Sequence, residues 1–373
     1  MKFKINKIDF QNILSKIQGL TGRKSNLAIT TSALIQSIPE GIKITATDLE
    51  TGYEGFFPAE VTAEGSVAIN SKKLLEIVRE FPNENIVLHE VDNHWIEIGT
   101  KKVEYHIVGM DLNEFPTFPQ IEDVPFFKIN AKNLKDMIEK TIVISYSGDE
   151  KRAHIIGLYF EIVNTESEKM VRLVSTDGNR LSTADCRFDG KVRMPESSGY
   201  IVPKKGMGEL SKFIDSEEDV DIGFKENHLV LKKNKETIVI RLLNGDYPQY
   251  RDILAHKESG NIIEFSKLDL LMMLRRMSIL SSEDYKGVIF KFSHNGLVVN
   301  STNPDIGESK EEMEIIYDGN LIEVAFNPRY FIEALNCVKD DQVYMNILDE
   351  EKPCFIEGKE DKNYLSVIMP MRI

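Results

Sequence analysis

The residues best suited to chemistry are few in this chain of 373, and their spacing supports little of it. Seven histidines stand at His89, His94, His106, His154, His228, His256 and His294, and none has the HExxH spacing that sets two imidazoles on one helix face for a metal. His89 and His94 fall in different predicted strands, so packed or surface histidines are expected and no metal site. Cys186, Cys337 and Cys354 are scattered, odd in number and without CxxC spacing, and read as buried thiols in a reducing compartment. Gly206-Met-Gly208 lacks the following Lys-Ser/Thr of a phosphate loop and sits at a predicted helix start. No GxSxG elbow or spaced Cys–His pair appears. The expectation is no catalytic residue, no cofactor and no enzyme.

What stands out is Arg172–Ser182, an alternating apolar and polar run that ends in Thr176-Asp177-Gly178-Asn179, residue types that tolerate a tight turn. It reads as a hairpin, and it recurs. The other copies are Thr47-Asp48 after Ile42 and Thr302-Asn303 after Leu297, with the three threonines 129 and 126 residues apart. Repeats of that length are whole domains. Asp48, Asp177 and Asn303 occupy equivalent positions, which favours turn chemistry over acid–base work.

The elements around each hairpin repeat as well. Each third opens with a short strand, a capping residue (Asn6, Asn130, Ser266) and an amphipathic helix over 8–20, 134–142 or 268–280. A second strand and helix follow the hairpin, at 72–81, 204–214 and 328–338, and then antiparallel strands, including 103–108 in the first third. Pro- and Gly-bearing breaks at 111–124 and 244–261 separate the thirds. The reading is α+β, three domains over 1–121, 122–250 and 251–373, each with two helices on antiparallel sheets.

A net charge of −14 argues against binding nucleic acid over the whole surface. Counted over 7–16, 72–79, 132–140, 204–212, 267–276 and 329–339, the predicted helices with their flanking basic residues nevertheless carry +9, so the rest of the chain carries −23, the difference between −14 and +9. If the repeats close symmetrically, the helices form one basic surface that holds a polyanion without reading its sequence. Loop residues Arg23, Lys24 and Arg152 extend it. No apolar run is long enough to cross a membrane, and the amino terminus lacks the apolar block of a signal peptide, so a cytoplasmic protein is expected.

Thr47-Asp-Leu-Glu50, Ser175-Thr-Asp-Gly-Asn-Arg-Leu181, Gly245-Asp-Tyr-Pro-Gln-Tyr-Arg251, Phe326-Asn-Pro-Arg-Tyr330 and the ending Val367-Ile-Met-Pro-Met-Arg-Ile373 closely resemble the bacterial sliding clamp family, the beta subunits of DNA polymerase III. The resemblance spans the full length. It implies a homodimer of three-domain subunits, a ring whose helices line the hole, encircling duplex DNA without sequence preference and tethering a polymerase as a processivity factor. It also implies a clamp loader, the catalytic subunit of DNA polymerase III and other proteins with a clamp-binding motif as partners, and no membrane. A soluble peptide-binding scaffold that never encircles DNA is the alternative.

The same resemblance assigns a partner-peptide pocket to Ile155, Thr176, Gly178, Asn179, Arg180, Leu181, Pro248, Ile253, Asn327, Tyr330, Val367, Met369, Pro370, Met371 and Arg372, an apolar groove with Arg and Asn at its rim. The methionines suit a surface that repacks around several partners. Many members carry His at the position of Asn179 and Arg at that of Asp252. DNA-facing positions are Arg23, Lys24, Lys72, Lys73, Lys132, Lys135, Arg152, Lys204, Lys205, Arg275 and Arg276. The subunit contact sets Tyr105 and Ile107 of an edge strand against Ile279 and Leu280.

Overall fold

The computed structural model describes residues 1–22, 28–91, 95–100, 102–144, 155–164, 169–188, 199–214, 217–281 and 287–371. The chain divides into two compact units, one built mainly of Met1–Lys132 and Lys205–Leu242, the other of Asn133–Phe188 and Leu243–Ile373. The middle third of the sequence therefore contributes to both.

In the first unit, a five-stranded antiparallel sheet runs in the order Glu60–Ala63, Lys2–Asn6, Asn85–Glu90, Trp95–Thr100 and Val103–Val108. An eight-stranded sheet orders Phe126–Asn130, Asp219–Lys225, His228–Lys233, Glu236–Arg241, Thr51–Phe57, Gly41–Thr47, Ser32–Ile38 and Gly65–Asn70. Half its strands come from the first third and half from the second. The join is antiparallel, with Ile240 opposite Thr51 and Glu236 opposite Gly55.

The second unit repeats the plan. Its eight strands are Tyr200–Pro203, Gly157–Asn164, Lys169–Thr176, Arg180–Arg187, Tyr364–Ile368, Cys354–Gly358, Gln342–Ile347 and Asn261–Ser266, joined where Arg180 faces Ile368 and Ala184 faces Tyr364. A four-stranded sheet orders Gly307–Glu314, Gly296–Asn303, Val288–Ser293 and Ile322–Phe326. Sheets that run across the boundaries between thirds are the main departure from the repeat-by-repeat expectation. Their physical reason is edge pairing, since a repeat closed on itself would leave two rows of unpaired amides and carbonyls at each junction.

The helices are α1 (Lys7–Thr21), α2 (Ser71–Glu80), α3 (Ala131–Ile142), α4 (Lys204–Phe213), α5 (Tyr250–Leu254), α6 (Lys267–Met277) and α7 (Pro328–Cys337). The short α5 lies in the second linker, where no helix was expected. Asn6, Asn70, Ser266 and Asn327 each accept a hydrogen bond from a backbone amide of the following helix, satisfying donors that its first turn leaves free. On α1, Phe10, Ile13, Leu14 and Ile17 are buried at helical spacing, and the Phe10 ring meets Phe3 edge to face at 6.3 Å. Around α6 and α7, Leu270, Leu274, Phe331 and Leu335 pack with Phe290, Phe292, Phe326 and Val343 in one core. Cys186 and Cys354 are buried as expected, whereas Cys337, on the flank of α7, is half-buried.

Candidate partner-binding site

The site begins with the turn at Thr176–Arg180. Asp177 Oδ1 accepts the amides of Asn179 at 3.0 Å and Arg180 at 3.1 Å, while Thr176 Oγ1 donates to the Arg180 carbonyl at 2.7 Å and accepts the Gly178 amide at 3.1 Å. Gly178 has φ +91°, a region that penalises any side chain. The first copy repeats this bonding pattern. Asp48 Oδ1 accepts from Glu50 at 3.0 Å and Thr51 at 2.7 Å, and Thr47 Oγ1 donates to the Thr51 carbonyl at 3.1 Å and accepts the Leu49 amide at 3.0 Å. In the third copy the turn is longer, with Asn303 opposite Gly307, and Asn303 Nδ2 donates to the Leu280 carbonyl at 2.9 Å. The turn role read from these three residues is thus present at atomic level.

Around the middle turn, two further segments converge within the second unit. Met369 donates its amide to the Asn179 carbonyl at 2.9 Å, and Met371 donates to Ala325 at 2.8 Å, so the chain end is laid as an extended segment between the turn and the strand leading to α7. Asn327 caps α7 and places Tyr330 on its first turn. The Arg180 guanidinium lies 4.3 Å from the Tyr330 ring centroid and donates to Asp177 Oδ2 at 3.0 Å and Glu333 Oε2 at 2.6 Å. Burial raises the Tyr330 phenol above its usual pKa, with the Asp177 carboxylate adding to the effect. Beneath the turn, Leu181, Val367, Val174, Leu365, Phe355 and Tyr250 form a small core, with Ile253 half-buried against it.

The expected pocket residues divide by exposure. Thr176, Arg180, Leu181, Asn327 and Val367 are buried, as is Ile155 at 9 % exposure. Gly178, Asn179 and Met371 are exposed, while Pro248, Ile253, Tyr330, Met369 and Pro370 are half-buried. Arg180 is therefore a satisfied internal cation and not the rim residue expected, because two carboxylates and a ring already occupy its faces. Arg372 lies outside the described residues. Ile155 lines a cavity of about 220 Å³ with Ile144, Ile156, Gly157, Leu158, Ser175 and Lys204, beside the strand that leads into the turn. Its size and mixed apolar lining suit one or two aliphatic side chains, not a cofactor.

Three domain signatures of the DNA polymerase III beta subunit match this chain in order: the N-terminal domain at residues 1–119, the central domain at 128–249 and the C-terminal domain at 254–372. The chain belongs to the DNA polymerase III beta subunit family. It is 27% identical to the beta sliding clamp of Chlamydia pneumoniae over all of this chain and 99% of that one, and 26% identical to the beta sliding clamp of Vibrio cholerae over the whole of both. Among solved structures it is similar to a putative DNA polymerase III beta subunit from Eubacterium rectale (26% identity, TM-score 0.90) and to the sliding clamp of Bartonella birtlesii bound to griselimycin (25% identity, TM-score 0.92), each match covering the whole of both chains. Sliding clamps are processivity factors without catalytic activity, and this one has three clamp domains of mixed helix and antiparallel sheet.

The clamp's basic side chains are not equally available. Lys72, Lys135 and Arg275 form no ion pair among the described residues. Lys73 pairs with Glu76 at 2.7 Å, Lys132 with Glu217 at 2.8 Å, and Arg276 donates from Nε to Glu311 at 2.9 Å. Two expected DNA-facing residues are engaged inward instead. Lys204 is half-buried, donates to the Ile144 carbonyl and has its pKa lowered by burial and by the Arg180 cation, and Lys205 pairs with Asp48. Both stand at the helix start nearest a turn, where a carbonyl or carboxylate competes for the ammonium. Arg23, Lys24 and Arg152 lie outside the described residues. No helix among the described residues is long and apolar enough to cross a membrane.

Proposed function

We propose that two copies of this clamp close head to tail into a ring around duplex DNA. The observation that carries the proposal is a repeated strand join with two edges left over. Thr51–Phe57 pairs with Glu236–Arg241, and the equivalent Arg180–Arg187 pairs with Tyr364–Ile368. The third member of each series is an edge within this chain: Gly307–Glu314 ends the four-stranded sheet and Val103–Val108 ends the five-stranded sheet. A second copy supplies the missing partner for each of these two edges, and a dimer joined twice in this way leaves neither of them free. Tyr105 and Ile279 are exposed, at 36 % and 75 %, as residues awaiting a subunit contact are. Ile107 and Leu280 flank them.

The domains in this reading span 1–121, 122–250 and 251–373. Lys72, Lys73, Lys132, Lys135, Arg275 and Arg276 face the DNA. The groove beside Gly178, Asn179, Tyr330, Met369 and Met371 receives short apolar peptides from the polymerase catalytic subunit, from the clamp loader and from other proteins with the same motif. After loading, the protein remains on closed circular DNA at high salt and leaves once the circle is cut, because a ring is retained by topology and lacks the salt slope of phosphate contacts. Equal loss from circular and linear DNA overturns the proposal.

A further inference from the structure

The outer face of the five-stranded sheet carries a row of side chains that the function does not use. His89 stands opposite Glu97 on the neighbouring strand, and Glu97 stands opposite His106 on the next. Glu104 lies two residues before His106 and so on the same face. Ile96 and Ile98 alternate with Glu97 into the core, which turns this row outward. His89 Nδ1 is 3.6 Å from Glu97 Oε2, His106 Nδ1 is 4.0 Å from Glu97 Oε1, and His106 Nε2 is 3.7 Å from Glu104 Oε2. One ligand atom from each of Glu97, Glu104 and His106 falls within 4.8 Å of the others.

We propose that Glu97, Glu104 and His106, with His89 as a fourth ligand, form a binding site for a divalent transition metal of the zinc class. Two ligand atoms that share a tetrahedral zinc at about 2.0–2.1 Å sit roughly 3.3 Å apart, so Glu97, Glu104 and one ring nitrogen of His106, now within 4.8 Å of one another, close by up to about 1.5 Å, and His89, outside that cluster, swings in further. Mixed imidazole and carboxylate donors suit zinc, nickel or copper and not magnesium or calcium, which take oxygen alone. The ligands come from three different strands, which is why no spacing along the sequence announces them. All belong to one chain, so the site is complete without a second copy.

The only tryptophan, Trp95, is two residues from Glu97 on the same face and 43 % exposed, and gives a local reporter. Titrating the full-length protein with Zn²⁺ by calorimetry is expected to show one site of micromolar affinity or tighter, and Ni²⁺ is expected to quench Trp95 fluorescence with the same stoichiometry. Glu97→Gln and His106→Ala should each weaken both by at least about tenfold, the scale seen when a metal site loses part of its shell. The ligands are partly exposed, so both variants should fold, which far-ultraviolet dichroism checks. Absence of any site tighter than millimolar, or unchanged Zn²⁺ affinity and Ni²⁺ quenching in either variant, overturns the proposal and leaves a row of surface ion pairs.

Discussion

Arg180 and Tyr330 are stacked, with the guanidinium 4.3 Å from the ring centroid, and this contact ties the middle turn to the first turn of α7. With Arg180 only 7 % exposed and bonded to both Asp177 and Glu333, removing it strands the buried Asp177 carboxylate and one ring face, while the partly exposed Glu333 turns to water. Arg180→Ala is expected to lower stability by about 2–3 kcal/mol, the range for losing charged hydrogen bonds from a mostly buried group. Arg180→Lys should recover only part, since an ammonium cannot fork to two carboxylates while lying flat on a ring. A urea midpoint unchanged in Arg180→Ala would refute this.

Met371 offers a cleaner test of the groove. At 37 % exposure it tolerates substitution, and its amide bond to Ala325 does not depend on its side chain. Met371→Glu should leave the urea midpoint within about 0.5 kcal/mol of wild type. The same change should weaken a fluorescent clamp-binding peptide by tenfold or more, roughly 1.4 kcal/mol, because it puts a charge where the proposed groove would take an apolar anchor. Deleting Met369–Ile373 should abolish peptide binding and leave the dimer intact. Peptide binding retained by the deleted protein would assign the groove elsewhere.

The acid side of the stability profile follows from Lys140 and Asp361. Lys140 is 5 % exposed and bonds Asp361 at 2.7 Å and Asp136 at 3.0 Å. Burial alone would lower its pKa, but the hydrogen bonds to the two carboxylates outweigh it and hold the pKa above the ordinary lysine value. Burial likewise pushes Asp361 up, yet the Lys140 ammonium and the Asn363 amide bring it below the usual carboxylate value. A lowered carboxylate gives stability that is full above its unfolded pKa of about 3.9 and is lost as pH falls through the folded value. A raised lysine loses its share only above about pH 10.4. Urea midpoints contributed by this pair should therefore be flat from about pH 5 to 9 and fall below about pH 4, and Asp361→Asn should flatten the acid limb. An acid limb of unchanged slope in that variant would refute the assignment.

Turns and caps were legible in the sequence because they are local. Asp48 and Asp177 bond amides two and three residues ahead, and Asn6 and Ser266 bond the helices they precede. Contacts that cross the repeats were not legible. Nothing in the run Glu236–Arg241 states that Thr51–Phe57 is its neighbour, and each edge taken alone reads as free. For the same reason Lys204 and Lys205 passed as exposed helix lysines, since the Ile144 carbonyl and Asp48 that engage them lie 60 and 157 residues away along the chain. The row His89, Glu97, His106 was hidden likewise, its register fixed only by pairing across three strands.

Ile279 and Leu280 test the ring itself. Ile279 is 75 % exposed in the single chain, and the Leu280 carbonyl is pinned by Asn303 Nδ2 at 2.9 Å, so this corner is both apolar and held in place by the third-copy turn. Replacing both residues with Asp puts two charges into the proposed subunit contact, at an expected cost of several kcal/mol at each of the two joints of the proposed ring. Light scattering should then give the mass of one chain where wild type gives two. The pocket residues lie away from this corner, so the monomer should bind the clamp-binding peptide with wild-type affinity but fail to stay on closed circular DNA. A double variant that remains dimeric would place the subunit contact elsewhere, and one that also loses the peptide would show that the groove depends on ring closure.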